Sequence, residues 1–141
     1  MWSYGKIRSL VSVCVPLLIW MGVIFYFSAQ PGSLTPSGSW PIFLERKAAH
    51  VVEYAILGSL FLRLTHRCWS TRYLEAVGWG FIGSLLYAFS DELHQLSVIG
   101  REGNMRDVLI DLIGIGLGML VMQYATLGMY KSKNNIINNA G

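Results

Sequence analysis

Residues 10–29 form an apolar run without a charged side chain, and this run constrains the fold more than any other feature. About 20 such residues in a helix cross the hydrocarbon core of a bilayer. The rest of the chain agrees, because 53% of its 141 residues are hydrophobic and 13% are charged, about half the charged share of an ordinary soluble domain. The run is long for the apolar core of a signal peptide, and Phe27 disfavours cleavage after Ala29. We therefore expect an uncleaved membrane anchor.

Three further segments complete a prediction of four transmembrane helices in an all-α fold. The second segment is weak by hydropathy because His50 and Glu53 interrupt its start, and the fourth becomes strongly apolar only after Asp111. The predicted spans cover about residues 10–29, 47–64, 73–95 and 107–129. The sequence thus predicts a short N-terminal tail (residues 1–9), one membrane domain (residues 10–129) and a polar, Asn-rich C-terminal tail (residues 130–141) that we expect to be disordered.

The Lys and Arg residues of the loops predict the orientation, because cytoplasmic loops carry an excess of them. With both termini in the cytoplasm, seven of these residues lie on the cytoplasmic side and four on the outer side. The cytoplasmic set is Lys6, Arg8, Arg63, Arg67, Arg72, Lys131 and Lys133, and the outer set is Arg46, Lys47, Arg101 and Arg106. The polar ends of the second, third and fourth spans then all reach the outer face.

Seven of the eight acidic residues fall at that outer end. Charges near lipid are expensive, so they usually face a bundle interior or an aqueous cavity and mark a functional site. At about 100° per residue, each of the three helices has several polar residues on one arc, which in the fourth segment also includes two glycines. The first arc contains Lys47, His50, Glu53, Tyr54 and Leu57, the second Ser84, Tyr87, Asp91, His94 and Gln95, and the third Asn104, Asp107, Asp111, Gly114 and Gly118. Because small residues let helices approach closely, we expect the aspartates beside Gly114 and Gly118 to face a neighbouring helix.

A histidine beside a carboxylate can act as a general acid or base, since the carboxylate fixes the tautomer of the ring. We predict this role for His94 with Asp91, and His50 is the third candidate catalytic residue. The other members of the cluster are predicted to hold or orient a ligand. They are Lys47, Glu53, Tyr54, Glu92, Gln95, Arg101, Asp107 and Asp111.

Two of these cations, Lys47 and Arg101, are suited to a phosphate or carboxylate group. In a purely structural alternative, Asp107 and Asp111 pair with Lys47, Arg101 or Arg106 and only hold the bundle together. Both interpretations place the aspartates inside the bundle, and the sequence alone does not decide between them.

Two classes of partner are disfavoured. The histidines and carboxylates match no metal-ligand spacing such as His-Glu-x-x-His, so no metal or other cofactor is predicted. The basic residues are scattered along the chain and the net charge is only +3, which gives no case for nucleic acid.

Several ordered motifs resemble the VanZ-like family. They are Lys47-x-x-His50-x-x-x-Tyr54, Ser90-Asp91-Glu92-Leu93-His94-Gln95, Gly100-Arg101 and Arg106-Asp107-Val108-Leu109-Ile110-Asp111-Leu112-Ile113-Gly114, with Ser28-Ala29-Gln30 after the first span. The resemblance extends over about residues 10–118. The chain departs from the family at Leu96-Ser97-Val98-Ile99, where an aromatic residue and then a proline are usual.

The resemblance implies a small multi-pass protein of the bacterial cell membrane. The namesake of the family is linked to raised tolerance of glycopeptide antibiotics, teicoplanin in particular. We therefore hypothesise an outer-facing polar pocket that binds or modifies a cell-envelope component, with a membrane lipid or a lipid-linked molecule as its partner. The alternatives are a non-catalytic protein that sequesters a lipid head group or the acyl chain of the antibiotic, a small transporter working as a homo-oligomer, and a structural membrane protein.

Overall fold

The structure is a computed structural model that describes residues 4–31, 40–68, 72–101 and 103–139. Its four helices are α1 (Tyr4–Ser28), α2 (Trp40–Cys68), α3 (Tyr73–Gln95) and α4 (Met105–Asn139). Every regular element in these residues is an α-helix, which confirms the predicted all-α fold with four helices.

Three of the four helices are long and apolar enough to cross a membrane. The stretches concerned are Ile7–Ser28, Leu44–Cys68 and Met105–Thr126, so the chain is a membrane protein. Helix α3 is not among them, although its 23 residues reach about 34 Å at the rise of an α-helix. Glu75 near its start and Asp91 and Glu92 near its end lower its hydropathy. Its crossing of the membrane stays a prediction.

Three helices extend beyond their predicted bounds, and the first of them, α1, begins at Tyr4 and not at about residue 10. Helix α2 begins at Trp40 and ends at Cys68, because a helix continues past the apolar part from which hydropathy draws its limits. The prediction of a disordered C-terminal tail was wrong, since α4 continues to Asn139. Residues 129–139 contain neither Gly nor Pro, the two residues that most strongly end a helix.

Helix α2 is the central element, because it makes the most extensive contacts with the other helices. Its closest approach is to α4, where a Cβ atom added to Gly118 would lie 1.8 Å from the carbonyl oxygen of Ala55. A Cβ added to Gly114 would lie 2.6 Å from the carbonyl oxygen of Val51. The hydroxyl of Ser59 donates to the carbonyl of Gly118 at 2.8 Å. The glycine face of α4 therefore packs on α2, as the small-residue spacing predicted.

The helices alternate in direction, so α1 and α3 end where α2 and α4 begin. Three contacts between helices show this arrangement. The rings of Phe25 on α1 and His94 on α3 stack at 4.4 Å, and Lys47 on α2 forms an ion pair with Asp107 on α4. The hydroxyl of Thr65 near the end of α2 donates to the carbonyl of Ala76 near the start of α3, at 2.8 Å. We call the end with the Lys47–Asp107 pair the polar end, and the other the opposite end.

A candidate ligand cavity at the polar end

A cavity of about 470 Å³ opens at the polar end between α1, α2, α3 and the α3–α4 loop. One part of its wall is apolar and consists of Ile24, Phe27, Pro31 and Ala49. The polar part consists of Ser28, Gln30, Arg46, His50, Glu53, Asp91, Gln95 and Arg101. The cavity thus combines an apolar wall with two guanidinium groups, two carboxylates and an imidazole, and its volume is within the usual range for small-molecule sites.

Asp91 lies in the cavity wall with only 4% of its surface exposed. Its Oδ2 accepts hydrogen bonds from the hydroxyl of Tyr54 at 3.2 Å and from Nε2 of Gln95 at 3.0 Å. Its Oδ1 is buried and has no hydrogen-bond partner among the side chains and backbone that the structure describes. A buried carboxylate oxygen without a donor is costly. Asp91 is therefore held in place on one side and left able to accept a hydrogen bond on the other.

His50 also lines the cavity, and its ring is hydrogen-bonded to Asp111, which lies behind the wall. Its Nδ1 lies 3.1 Å from Oδ1 of Asp111, which has no exposed surface. The His50 ring is parallel to that of Tyr54 in the next turn, with centroids 6.3 Å apart. Because Nδ1 is engaged by Asp111, Nε2 is the ring nitrogen left for a ligand. A carboxylate that orients an imidazole in this way is a frequent arrangement in acid–base catalysis.

Glu53 lies one turn of α2 after His50 and also lines the cavity. Its backbone carbonyl accepts a hydrogen bond from Nε1 of Trp20 on α1, at 2.9 Å. A second bond between α1 and its neighbours runs from the hydroxyl of Tyr87 to the carbonyl of Met21, at 2.6 Å. These two bonds hold the middle of α1 against α2 and α3 and thereby keep one wall of the cavity in place.

Arg101, in the α3–α4 loop, binds the end of α1. Its Nη2 donates to the carbonyl of Phe27 at 2.7 Å and its Nε to the carbonyl of Gln30 at 3.1 Å. A longer contact of 3.5 Å joins Nη1 to Oε1 of Gln95. The residue before it, Gly100, has a φ of 75°, a conformation that side chains other than glycine rarely adopt. Arg101 therefore lines the cavity and also joins the α3–α4 loop to the end of α1.

Lys47 and Asp107 form an ion pair beside the cavity. Both side chains are partly buried, with 22% and 16% of their surface exposed, and neither lines the cavity. The pair joins the first turn of α4 to α2, one turn before the contact of His50 with Asp111. This arrangement matches the structural alternative for Asp107.

Glu92 faces the start of α4. Its Oε2 accepts a hydrogen bond from the backbone N–H of Asn104 at 2.8 Å, and Asn104 in turn accepts one through Oδ1 from the N–H of Arg106 at 3.1 Å. A Cβ added to Gly103 would lie 2.6 Å from the carbonyl oxygen of Glu92. Glu92 thus positions the N-terminal cap of α4 and lies outside the cavity lining.

His94 lies outside the lining as well. Its ring stacks on Phe25, and its Nε2 is buried without a partner among the described residues. The hydrogen bonds of Asp91 run to Tyr54 and Gln95. The two members of the predicted acid–base pair therefore have different neighbours.

The structure brings five of the predicted site residues into the cavity wall. They are His50, Glu53, Asp91, Gln95 and Arg101. Tyr54 and Asp111 lie directly behind them and bond to Asp91 and His50. Sequence reasoning missed the contribution of α1 and of Arg46. The motif Ser28-Ala29-Gln30 was the available signal, because Ser28 and Gln30 both line the cavity.

The wall balances two cations against two carboxylates, which suits a ligand that carries both an anionic group and hydrogen-bond donors. No group of three or more His, Cys, Asp or Glu side chains in the part of the chain that the structure describes is arranged to hold a metal ion.

Comparison with known proteins assigns the chain to a family. Residues 13–127 match the sequence profile of the family described as VanZ/LLP1. No curated protein and no solved structure matches the chain. The matched region extends from the first half of α1 into α4 and includes every residue of the cavity wall. The chain belongs to the VanZ/LLP1 family.

Proposed function

We propose that this protein crosses the bacterial cell membrane four times, with the polar end outside and both termini in the cytoplasm. In this proposal the cavity binds the head group of a membrane lipid or of a lipid-linked envelope component, and this binding alters tolerance of glycopeptides such as teicoplanin. The observation that carries the proposal is the buried, unpartnered Oδ1 of Asp91 in the wall of a polar cavity.

The wall indicates the chemistry of the ligand. Arg46 and Arg101 are suited to a phosphate or carboxylate. Asp91 and Glu53 are acceptors for hydroxyl or ammonium groups. The apolar wall formed by Ile24 and Phe27 is suited to the first carbons of an attached chain. A head group that carries phosphate and hydroxyl or amine groups on a lipid satisfies all three parts of the cavity.

The contact between His50 and Asp111 favours modification of that head group over simple shielding. An imidazole held by a buried carboxylate can accept a proton from a hydroxyl or water and return it to a leaving group. The hydrogen bonds favour His50, rather than His94, for this role, because His50 lines the cavity and is oriented by Asp111. Asp91 would then hold the head group in place.

The test compares cells that lack the protein with cells that express the wild type, Asp91→Asn or His50→Gln. Glycopeptide susceptibility and lipid composition by mass spectrometry are measured at equal membrane levels of each variant. Glu45→Gln is the matched control, because Glu45 is an exposed acidic residue of α2 that does not line the cavity. We expect both cavity variants to behave like the strain without the protein and the control to behave like the wild type.

Wild-type susceptibility and lipid composition in a variant with His50, Asp91 and Asp111 all replaced would contradict the proposed site. A second candidate is a binding protein that shields a lipid head group or takes up the acyl chain of the antibiotic, which the apolar wall favours. It predicts saturable binding of a radiolabelled lipid or of teicoplanin to the purified protein with no new lipid product. The same lipid mass spectra therefore separate the two candidates.

A further inference from the structure

A second cavity lies at the opposite end of the bundle, at the junction of α2, α3 and α4. Its volume is about 730 Å³. Three basic side chains near the end of α2 line it: Arg63, His66 and Arg67. The proposed function at the polar end makes no use of this cavity.

The three basic residues share one helix face, because positions separated by three and four residues are neighbours on a helix. Each is exposed, so a molecule from outside can reach it. Among the residues that the structure describes, none that lines the cavity is acidic. Glu75, in the first turn of α3, is exposed and lies outside it. The two guanidinium groups of Arg63 and Arg67 repel one another unless an anion lies between them.

Neutral polar groups complete the wall. The hydroxyl of Tyr73, at the start of α3, is buried and has no hydrogen-bond partner among the described residues. Its ring meets that of His66 edge to face, with centroids 6.2 Å apart. Gln123 of α4 also lines the cavity. An excess of basic residues at the cytoplasmic ends of membrane helices is general, but that rule requires neither a cavity nor an unpartnered hydroxyl on a residue that lines it.

We infer that this second cavity is a binding site for a phosphate group, carried by an anionic phospholipid or by a soluble phosphate ester. The planar guanidinium groups of Arg63 and Arg67 bind phosphate oxygens in pairs, and the Tyr73 hydroxyl is a further donor. Basic pockets between membrane helices on the cytoplasmic side are suited to anionic head groups. The volume also leaves room for the alcohol to which the phosphate is esterified.

The test titrates the purified full-length protein, in neutral detergent, with three probes and counts bound molecules by native mass spectrometry. The probes are phosphatidylglycerol, phosphatidylcholine and glycerol 3-phosphate. The double variant Arg63→Gln/Arg67→Gln is compared with Arg8→Gln/Arg72→Gln, which removes the same charge from exposed residues at the same end that do not line the cavity. We expect the first variant to bind the preferred anion about tenfold or more weakly, and the control to bind it within about twofold of the wild type.

Tyr73→Phe removes only the hydroxyl, and we expect it to weaken binding about threefold to tenfold. Selective binding of phosphatidylglycerol supports a lipid head group, and binding of glycerol 3-phosphate supports a soluble ester. Equal binding of phosphatidylglycerol and phosphatidylcholine without binding of glycerol 3-phosphate overturns the inference, as does an equal loss in the control variant. Asp91→Asn should leave this binding unchanged, so a failure here is separate from a failure of the proposed function.

Discussion

Nδ1 of His50 on α2 lies 3.1 Å from Oδ1 of Asp111 on α4, and Asp111 has no exposed surface. His50 lines the polar-end cavity, whereas Asp111 lies behind it. The contact therefore connects the packing of α2 on α4 to the chemistry available to a ligand. The ion pair of Lys47 with Asp107 lies one turn nearer the starts of the two helices, so two successive contacts join α2 to α4 at the polar end.

The first prediction concerns the charge of Asp111. Asp111→Asn keeps the shape of the side chain but removes the charge that orients and supports a protonated His50. We expect the protein to fold and to lose the glycopeptide and lipid effects, with any catalysed rate lowered about 10²-fold to 10⁴-fold. The measurement is the amount of modified lipid per folded protein, by mass spectrometry.

Asp107→Asn is the control for this change, because Asp107 pairs with Lys47 outside the cavity. We expect the control to retain the lipid effect of the wild type. If Asp111→Asn also retained it in full, His50 could not depend on Asp111 and the acid–base role would be lost.

The clustering of polar residues at one end of the bundle could be predicted from the sequence. It follows from helical periodicity and from the fact that helices joined by loops alternate in direction when each crosses the membrane. Lys47, His50 and Asp111 each have an ionisable side chain, which identifies the polar face of their helix in the sequence. The pairing of Asp111 with His50 could not be predicted, because pairing depends on the distance and register between α2 and α4. Those are set by the contact of Gly118 with Ala55.

The part played by α1 was missed for a different reason. This helix and the residues just after it contribute backbone carbonyls, those of Phe27 and Gln30, to Arg101. Every residue type carries the same backbone carbonyl, so the sequence gives no sign of these contacts. His94 illustrates the reverse case. It lies three residues after Asp91, which suggested a pair, but the stacking of its ring on Phe25 decides its orientation.

The second prediction tests the packing of α2 on α4. Gly118→Ala would place a Cβ atom 1.8 Å from the carbonyl oxygen of Ala55, so the helix backbones must separate. We expect a loss of about 1–3 kcal/mol or more in the free energy of unfolding, measured as a lower thermal midpoint of a fluorescent fusion in detergent. Gly116→Ala is the matched control two residues away, since a Cβ there meets nothing within 4 Å.

The control variant should be as stable as the wild type or more stable by up to about 1 kcal/mol, because alanine favours the helix. Equal midpoints for Gly118→Ala and Gly116→Ala would contradict the close approach of the two helices.

The third prediction concerns the connection between Arg101 and α1. Arg101→Lys retains the charge but loses the planar fork that reaches the carbonyls of Phe27 and Gln30 together. We expect a loss of about 1 kcal/mol in stability and faster hydrogen exchange at the amide of Gln30, which itself donates to Phe27. The measurement is hydrogen–deuterium exchange of the detergent-solubilised protein.

Arg106→Lys is the control for Arg101→Lys, because Arg106 is exposed and its hydrogen bond to Asn104 comes from its backbone N–H. Its exchange pattern should match that of the wild type. Unchanged exchange at Gln30 in Arg101→Lys would show that the loop is held to α1 by other contacts.

The fourth prediction concerns sidedness, on which both proposed sites depend. Single cysteines at position 45 in α2 and position 106 in α4 both lie at the polar end and are exposed, whereas position 72 before α3 is exposed at the opposite end. In a background with Cys14 and Cys68 replaced by alanine, an impermeant maleimide should label positions 45 and 106 in intact cells and position 72 only after permeabilisation. Four crossings require this result, because α2 and α4 then begin on the outer face. Labelling of 45 and 106 from different sides would show that one helix does not cross, and the cavity wall could not form in the membrane as described.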